Sequence, residues 1–558
     1  VMDNRRLFIW MTLLAMIWLT YRQWLEDYPP VPVTPTTPTA SVGSEGPVLP
    51  ALPVVPAPGS VDTLPEISAP EQAVVDPTGA TTAQPAQTIR VRTDVLDLLI
   101  DTRGGDLVRA DVPLYPVDKN NPDLPIRLLD YAPESRWVFQ TGFRGTQAGD
   151  EPNHLATFSS ALSSYTLADG QDELLVALQW DNPGPLQASK IYRFRRGSYA
   201  IGLTLAVENA SPQAWSGVPY LQLVRHHVPA ERSYMSVDSY SYRGPVLYDG
   251  DSYEKLDVDD IAAEPVAQIV TNGWLAGIEH HFVVAAVPPP EESVSYQASV
   301  RGTQYVLTAL SPVRELAPGA RVEYPAQLFV GPKLQDQLAA TGDRLDLTVD
   351  YGVLTVLAKP LFLLLSWVHD FVGNWGWSIV LVTLLIKLAF YKLTAASGRS
   401  MAKMRKVQPR LKVLQERYKD DRQALSQAMM KIYKEEKINP AAGCLPILIQ
   451  MPFFFAFYWV LIESVEIRQA PFALWITDLS VRDPFFVLPL LMGGAMLMQT
   501  RLNPAPPDPI QARVMQIMPI AFTAMFAFFP AGLVLYWLTN TALSILQQWR
   551  INKVVAAS

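Results

Sequence analysis

The chain has 558 residues, of which 49% are hydrophobic and 18% are charged, and its formal net charge is −8. This length leaves room for more than one domain, and the high apolar share is typical of a soluble domain joined to membrane-spanning helices. Because Cys444 is the single cysteine, an intrachain disulfide and a cysteine metal cluster are excluded. The charge is uneven, since acidic residues dominate the middle of the chain and bases cluster after Lys387.

The first 28 residues predict a membrane anchor. An apolar run follows Arg5 and Arg6, and aromatic residues lie near its ends. A cleaved signal peptide is the alternative. The run lacks a small-residue cleavage site directly after it, which favours an uncleaved transmembrane signal anchor over 1–28 with its N-terminus in the cytoplasm. Residues 29–87 are rich in Pro, Thr, Ala and Val and predict a disordered tether.

Residues 88–345 predict one large β-sandwich. Short alternating stretches such as TIRVRTDVLDLLI and SYAIGLTLAVEN are typical of strands, and turn residues separate them. One anchor precedes this domain, so we expect it on the far side of the membrane. The pairs His226–His227 and His280–His281 suggest a metal or catalytic site. Neighbouring residues on a strand point to opposite faces, however, so we interpret them as partly exposed strand histidines.

Apolar stretches beyond the sandwich predict a helical membrane region. We expect residues 351–372 to form an amphipathic helix in the membrane interface, with a full span as the alternative. Five membrane-crossing helices should follow, joined by a cytoplasmic helical hairpin, an outer loop and a cytoplasmic loop. In chain order, we predict a transmembrane helix at 375–396, the hairpin at 398–440, a transmembrane helix at 442–462, the outer loop at 463–484, a transmembrane helix at 485–500, the cytoplasmic loop at 501–514, and transmembrane helices at 515–529 and 531–549.

Lys387 lies well inside the first of these spans. Thr383 is four residues before it, and Tyr391 and Thr394 are four and seven residues after it, so the four side chains should share one helical face. A lysine at a span centre costs about 2.5–3.5 kcal/mol, so such a charge usually faces a bundle interior or a water-filled cavity. Snorkelling to the interface is the alternative. The other spans carry no Asp or Glu in their middle. This disfavours an ion-coupled transporter and favours a hydrated cavity for a polar guest.

The later spans supply further side chains for this cavity. Two prolines in the span at 442–462 should free backbone carbonyls, which need water or polar neighbours. The span at 515–529 is short, about 22 Å against a hydrocarbon core of about 30 Å, and should thin the local bilayer. The candidate groove residues are Lys387, Thr383, Gln450, Met451, Tyr536, Trp537 and Asn540.

A methionine-rich seam predicts that the two helices of the cytoplasmic hairpin pack antiparallel. The first helix is strongly basic, and two interpretations of its bases stay open. The hairpin is either held to anionic lipid headgroups, or it is a docking arm for the ribosome, targeting factors or an arriving chain. The candidate docking residues are Lys403, Arg405, Lys406 and Arg410.

Long motif-like stretches are spread over both parts of the chain. They are GNWGWSIVLVTLLIK, SMAKMRKVQPR, NPAAGCLPILIQMPFF, VEIRQAPFALWITDLS and FPAGLVLYW in the helical part, and TDVLDLLIDTRGGD, FVGPKLQDQLAA and LDLTVDYG in the outer part. Together they resemble the YidC/Oxa/Alb family of membrane protein insertases, in its Gram-negative branch with a large periplasmic domain. The resemblance covers nearly the whole chain except the tether.

The resemblance implies a multi-domain protein of the bacterial inner membrane. Its α-helical core would have five spans beside the N-terminal anchor, and residues 88–345 would form an all-β, mutarotase-like sandwich in the periplasm. The resemblance also implies a hydrophilic groove with a positive residue at Lys387, no cofactor and no direct binding of nucleic acid. The family usually has arginine at this position and proline at the position of Lys392, a difference that should leave that helix end straighter.

We therefore expect a membrane protein insertase and chaperone, not an enzyme. Its substrates would be nascent membrane proteins, and it would work alone or beside the Sec translocon. The rival interpretation is a membrane-anchored periplasmic carbohydrate-active enzyme or binding protein. That rival requires a convergent acid/base pair in the sandwich, and the sequence contains no G-x-S-x-G, H-E-x-x-H or phosphate-loop motif.

Overall fold

The structure is a computed structural model in which the described residues belong to one compact unit, Leu64–Ser558. The predicted anchor over 1–28 and all but the last residue of the tether over 29–87 lie outside the described residues. A β-sandwich comes first in the described chain and a helical core follows it. The described residues are 87–145, 151–229, 241–418, 421–436, 445–502 and 509–557.

The strands of the sandwich alternate buried and exposed side chains, as a pleated strand with one face on a core requires. The alternation is nearly strict in the strand Leu186–Arg195. In chain order the described strands are β1 (Thr88–Arg92), β2 (Asp97–Asp101), β3 (Asp106–Asp118), β4 (Asn121–Leu129), β5 (Trp137–Gly145), β6 (Phe158–Ser160), β7 (Ser164–Thr166), β8 (Glu173–Trp180), β9 (Leu186–Arg195), β10 (Ala200–Asn209), β11 (Trp215–His226), β12 (Gly244–Tyr248), β13 (Tyr253–Lys255), β14 (Val266–Thr271), β15 (Trp274–Ile278), β16 (Phe282–Val287), β17 (Ser293–Arg301), β18 (Gln304–Leu310), β19 (Arg314–Leu316) and β20 (Arg321–Pro332).

These strands form two sheets. The eleven-stranded sheet has the order β14-β17-β18-β11-β5-β3-β2-β1-β7, with β4 beside β3 and β19 beside β11. The nine-stranded sheet has the order β13-β12-β15-β16-β20-β10-β9-β8-β6. Neighbouring strands are antiparallel except β1 and β7, which are parallel. Buried side chains of both sheets, such as Phe139 and Phe329, share one core. The predicted all-β sandwich is therefore confirmed.

The helices follow the apolar stretches of the sequence, with shifted bounds. Those of the described residues are α1 (Val258–Ala263), α2 (Gln335–Thr341), α3 (Thr355–Val372), α4 (Trp375–Ala389), α5 (Tyr391–Arg417), α6 (Arg422–Glu435), α7 (Leu445–Glu463), α8 (Val487–Leu502), α9 (Pro509–Phe526) and α10 (Ala531–Ala557). In the core, α4 packs closely against α3 and α10, and α8 packs against α9 and α10.

Two helix predictions need correction. The helix predicted over 375–396 is broken at Phe390, where α4 and α5 meet at a bend of 71°. The expectation that Lys392 leaves this helix end straighter is therefore wrong. The span predicted at 515–529 belongs to α9, which begins earlier and has 18 residues. Its apolar part, Ala512–Phe526, is still only about 22 Å long by helical rise, so the thinned bilayer stays a prediction.

By length and composition, one helix of the described chain is able to cross a membrane. This helix is α3, whereas α4 and α5 pass the same test only together, as a bent pair. The helix α8 and the Ala512–Phe526 part of α9 are apolar but shorter. The five spans, and the interfacial position of residues 351–372, therefore stay predictions.

The histidine pairs differ from one another. His226 and His227, at the end of β11, are partly exposed, as expected. His280 and His281 lie in the turn between β15 and β16, are buried, and stack with their ring centroids 3.8 Å apart. The interpretation as partly exposed strand histidines is wrong for this second pair, because the alternation of a strand does not hold in a turn.

A buried ion pair connects the two sheets. The ammonium of Lys190, on β9, donates to the backbone carbonyls of Gly104 and Thr141 and to the Thr141 hydroxyl, and lies 3.5 Å from an Asp106 carboxylate oxygen. Burial raises the pKa of Asp106 and lowers the pKa of Lys190, and each charge partly opposes the shift of the other. The Lys190 ammonium and the Asp106 carboxylate therefore each stay charged only while the other is present.

We predict that Lys190→Met destabilises the sandwich by about 3–5 kcal/mol, because it leaves a buried carboxylate without its cation. In a thermal melt of the full-length protein followed by tryptophan fluorescence, the midpoint should fall by roughly 10 °C. Arg193→Met is the matched control. Arg193 is on the same strand with an exposed side chain, so its replacement should change stability by less than about 0.5 kcal/mol. Equal shifts for the two variants would contradict the prediction.

Candidate functional site

The outer end of α4 is fixed by the loop between α7 and α8. The Asn374 side chain accepts a hydrogen bond from the Trp377 amide at 3.0 Å and thereby caps the helix. Its amide nitrogen donates to the Phe472 carbonyl of that loop, also at 3.0 Å. Gly376, the second residue of the helix, lies directly against the Phe472 ring. The position of α4 therefore depends on a close contact that only glycine permits.

The outer end of α7 is fixed by the sandwich. A ring nitrogen of His280, Nε2, lies 3.0 Å from the Ile462 carbonyl, and the Ser241 hydroxyl donates to Glu463 at 2.7 Å. Burial, aided by nearby Lys333, lowers the pKa of His280 to about 3, so the ring is neutral at neutral pH. Because a carbonyl oxygen only accepts, Nε2 carries the proton. The histidine thus satisfies a helix-terminal carbonyl that has no partner within the helix.

A small cavity lies at the other ends of these helices. It measures about 30 Å³, which is room for one or two water molecules. Five of the seven predicted groove residues line it together. Its lining consists of Lys387, Thr383, Gln450, Tyr536 and Asn540 from the predicted set, with Ile386, Phe390, Leu393, Thr394 and Phe453.

Lys387 is held by a hydroxyl group and not by a carboxylate. Its ammonium donates to the Ser544 hydroxyl at 2.8 Å, and that hydroxyl donates onward to the Asn540 carbonyl at 2.7 Å. Among the described residues, no acidic side chain pairs with Lys387. Since an ammonium has three N–H donors and Ser544 takes one, capacity remains for a water molecule or a guest.

The other groove candidates have different surroundings. Thr383 is buried, and its hydroxyl donates to the Ile379 carbonyl one turn earlier. Tyr536 stacks on Phe457 with ring centroids 4.6 Å apart. Met451 is partly buried beside Gln450 and does not line the cavity. Thr383 and Tyr536 therefore border the cavity, while much of their surface packs within the helical core.

Trp537 lies in an aromatic cluster outside the cavity. Its ring is 4.8 Å from Phe454, 6.2 Å from Phe522 and 5.4 Å from Phe526, measured between centroids. These rings join α7, α9 and α10. Trp537 therefore contributes to the packing of these helices and does not line the cavity.

The sequence interpretation missed Ser544 and left Thr394 out of the groove set. Ser544 follows Asn540 by four residues, so the helical period of the last span was the signal for it. Thr394 lies beyond the bend at Phe390, and its hydroxyl accepts a hydrogen bond from Gln547 at 2.9 Å. The bend brings Thr394 to the cavity, whereas a straight helix would carry it farther along.

The basic residues predicted for docking are all exposed on α5. Arg410 donates at 3.0 Å to Glu436, the residue directly after α6, whereas Lys403 and Lys406 make no ion pair among the described residues. The two helices pack through a seam that agrees with the predicted one. Its members are Met404, Val407, Leu411, Met429, Ile432 and Tyr433.

Comparison with known proteins identifies the class to which this fold and site belong. Residues 88–364 match the family described as YidC periplasmic domain, and residues 367–558 match the family described as 60Kd inner membrane protein. A curated relative from Thioalkalivibrio sulfidiphilus, named membrane protein insertase YidC, is 47% identical over 99% of this chain and 98% of its own. A relative of the same name from Methylococcus capsulatus is 46% identical over 99% of both chains.

The two family matches define the class as inner-membrane proteins with a periplasmic domain. The chain belongs to the YidC family of membrane protein insertases. The family resemblance noted in the sequence is thereby confirmed. Its members are insertases and not enzymes, so the rival interpretation as a carbohydrate-active enzyme loses its support.

Two solved structures resemble the chain more weakly. The crystal structure of an active YidC insertase is 19% identical and covers 83% of this chain and 92% of that chain, with a TM-score of 0.37. A galactose mutarotase-like protein from Lactobacillus casei is 9% identical and covers 44% and 99%, with a TM-score of 0.29. These scores are too low to compare sites, so the mutarotase-like character of the sandwich stays a prediction.

We predict that Gly376→Ala displaces the outer loop from α4. The new Cβ would lie 2.1 Å from a ring carbon of Phe472, so the ring and its carbonyl must move, at about 1–3 kcal/mol. A thermal melt of the purified protein should show the lower midpoint. Gly494→Ala, in α8, is the control because a Cβ there has open space around it, and its midpoint should not fall. Equal stability of both variants would contradict the prediction.

Proposed function

We propose that the polar cavity around Lys387 receives the hydrophilic flank of a nascent membrane protein while its apolar segment enters the lipid. The observation that carries this proposal is the bonding of Lys387. Its ammonium donates to one neutral hydroxyl, and no carboxylate of the described chain neutralises it. A charge inside an apolar helix normally marks a pathway or a polar cavity, because an unsolvated charge is costly there.

The apolar segment of the guest would move along the exposed face of α4. Five large apolar side chains of this helix are exposed, which is a surface that lipid or an apolar guest covers. They are Trp377, Leu381, Leu384, Leu385 and Leu388. Burial of about 20 apolar residues of the guest in the bilayer then supplies the driving force, so the step needs no nucleotide.

The guest would enter between α4 and α7. These two helices both border the cavity, yet α4 packs closely on α3 and α10 and not on α7. Since the cavity now holds only one or two water molecules, a polypeptide must part the helices to enter. Separating helices costs the least free energy between α4 and α7, because these two are not closely packed.

We infer the orientation of the protein in the membrane from what lies at each end of the helical core. The sandwich contacts the outer end of α7, the loop between α7 and α8 contacts the outer end of α4, and the basic hairpin of α5 and α6 leaves from the opposite end of α4. We propose a periplasmic sandwich, a cytoplasmic hairpin, a cytoplasmic N-terminus and five spans after the anchor. The protein would act as insertase and chaperone, alone or beside the Sec translocon, and assays in Sec-depleted vesicles distinguish the two modes.

Lys387→Ala should impair insertion of a small single-span guest with an acidic exported tail. A charge-assisted contact is worth about 1.5–3 kcal/mol, so its loss should lower the insertion yield by roughly tenfold or more. Lys387→Arg keeps the charge and should retain most of the activity. The measurement is protease protection of the exported tail in vesicles that contain the full-length variant.

Lys392→Ala is the matched control for the loss of a lysine. Lys392 is exposed at the start of α5, five residues beyond Lys387, and does not line the cavity. Its replacement should leave insertion unchanged. Full activity of Lys387→Ala in the same assay would remove the charge from the mechanism.

The hairpin gives a further prediction, on partners. We propose that it docks ribosomes or targeting factors through the exposed bases of α5, and the rival role is attachment to anionic lipid. The double variant Lys403→Glu, Lys406→Glu should reduce co-sedimentation of the purified protein with ribosomes, and added salt should weaken the unaltered complex. Lys431→Glu with Lys434→Glu, on exposed positions of α6, is the control. Unchanged ribosome binding with lost binding to anionic vesicles would favour the lipid role.

A further inference from the structure

A large cleft lies between the sandwich and the loop that joins α7 to α8. It measures about 1010 Å³, the upper end of the size range of small-molecule pockets. One wall contains Trp137 and Arg225 of the sandwich, and the other contains Gln469 and Val481 of the loop. Ile462, near the outer end of α7, also lines it. The cleft is therefore wide enough for a stretch of polypeptide.

Hydrogen bonds connect the sandwich wall of the cleft to its loop wall. The ammonium of Lys119, in the turn between β3 and β4, donates to the Gln469 carbonyl at 2.9 Å and to the Thr477 carbonyl at 2.5 Å. In return, the guanidinium of Arg468 donates to the Pro116 carbonyl at 2.8 Å. Loop and sandwich are joined at these points, so the space between them is part of the fold.

The lining carries charges of both signs that are largely paired within the protein. Arg225 pairs with Glu279 and stacks on the Trp137 ring, with its guanidinium carbon 3.9 Å from the ring centroid. Arg127 donates to Asp111 at 2.8 Å. A site for a phosphate or an anionic headgroup would instead present several bases toward the same point. Mixed, self-neutralised polar groups beside an aromatic ring suit a polypeptide of no fixed charge.

An unpaired strand edge borders the cleft. Among the described strands β4 pairs with β3 alone over 121–129, so its other edge has no strand neighbour until Asp130, just beyond its end, forms a bridge with Trp137 of β5. Its residues Ile126, Arg127 and Leu128 line the cleft. Such an edge offers backbone donors and acceptors to an extended peptide, which can add to it as a strand without a particular sequence.

The cleft lies at the outer end of the helices that border the Lys387 cavity. Gln450 lines the cavity and Ile462 lines the cleft, and both are on α7, about 18 Å apart by helical rise. We infer that the cleft receives the exported, extended segment of the guest polypeptide after it passes Lys387. This inference rests on the proposed insertase function and adds a second binding site, on the periplasmic side.

A photocrosslinking experiment on the full-length protein tests this inference. The probe p-benzoylphenylalanine replaces Val117, Val228 or Val481, which line the cleft and have exposed side chains. The control positions, Leu162 and Leu175, are equally exposed on the sandwich but do not line the cleft. The guest is a ribosome-stalled single-span protein with an exported tail, and a probe at Met451 reports on its arrival beside the Lys387 cavity.

Crosslinks to the tail are expected from the three cleft positions and not from the two controls. They should be lost when the tail is too short to bridge the distance, which takes about six extended residues. Crosslinks at Met451 with none in the cleft would overturn this inference and leave the proposed function intact. Equal crosslinking at the control positions, or crosslinks in the cleft to lipid alone, would also overturn it. Absence of crosslinks at Met451 and in the cleft would overturn both proposals.

Discussion

The arrangement of the helical core depends on how the ammonium group of Lys387 is hydrogen-bonded inside an apolar helix. Lys387 donates a hydrogen bond to the Ser544 hydroxyl, and that hydroxyl donates one to the Asn540 carbonyl, so it is acceptor and donor at once. A carboxylate partner would neutralise the lysine and use its capacity for a guest. A single neutral partner leaves the charge in place and part of its donor capacity open. The cavity lies at this point, and α4 packs closely on α3 and α10.

The loop between α7 and α8 links the sandwich to α4 and so helps to fix where α4 lies. It contacts the β3–β4 turn through Lys119 and Arg468, and it contacts the start of α4 through Phe472. His280 reaches the end of α7 directly. The sandwich therefore fixes the outer end of α7 directly and that of α4 through the loop, whereas the cavity borders the opposite ends of both helices. A domain without a catalytic role thus contributes to the geometry of the helical site.

Most of the architecture was predictable from local patterns, and the failures have a common physical origin. Alternation gave the strands of the sandwich, and helical spacing placed Thr383 on the face of Lys387, because both periods are fixed by backbone geometry. The break at Phe390 has no proline or glycine to signal it. Tertiary contact supports it, since Thr394 beyond the bend bonds to Gln547 of α10. The buried stack of His280 on His281 likewise depends on a turn and on the neighbouring α7, neither of which strand periodicity describes.

The two polar spaces of the molecule differ in a way that fits sequential use by one chain. The Lys387 cavity is small, lies among helices and holds a charge without a carboxylate partner in the described chain, and under the proposed function it would favour a short polar segment over lipid. The outer cleft is far larger, its charges are largely paired within the protein, and part of β4 borders it. Tight electrostatic holding at the second space would oppose release, whereas backbone pairing on an exposed edge is weak and independent of sequence. A guest would thus pass from a selective contact to an unselective one, and lipid burial of its apolar segment makes the passage favourable.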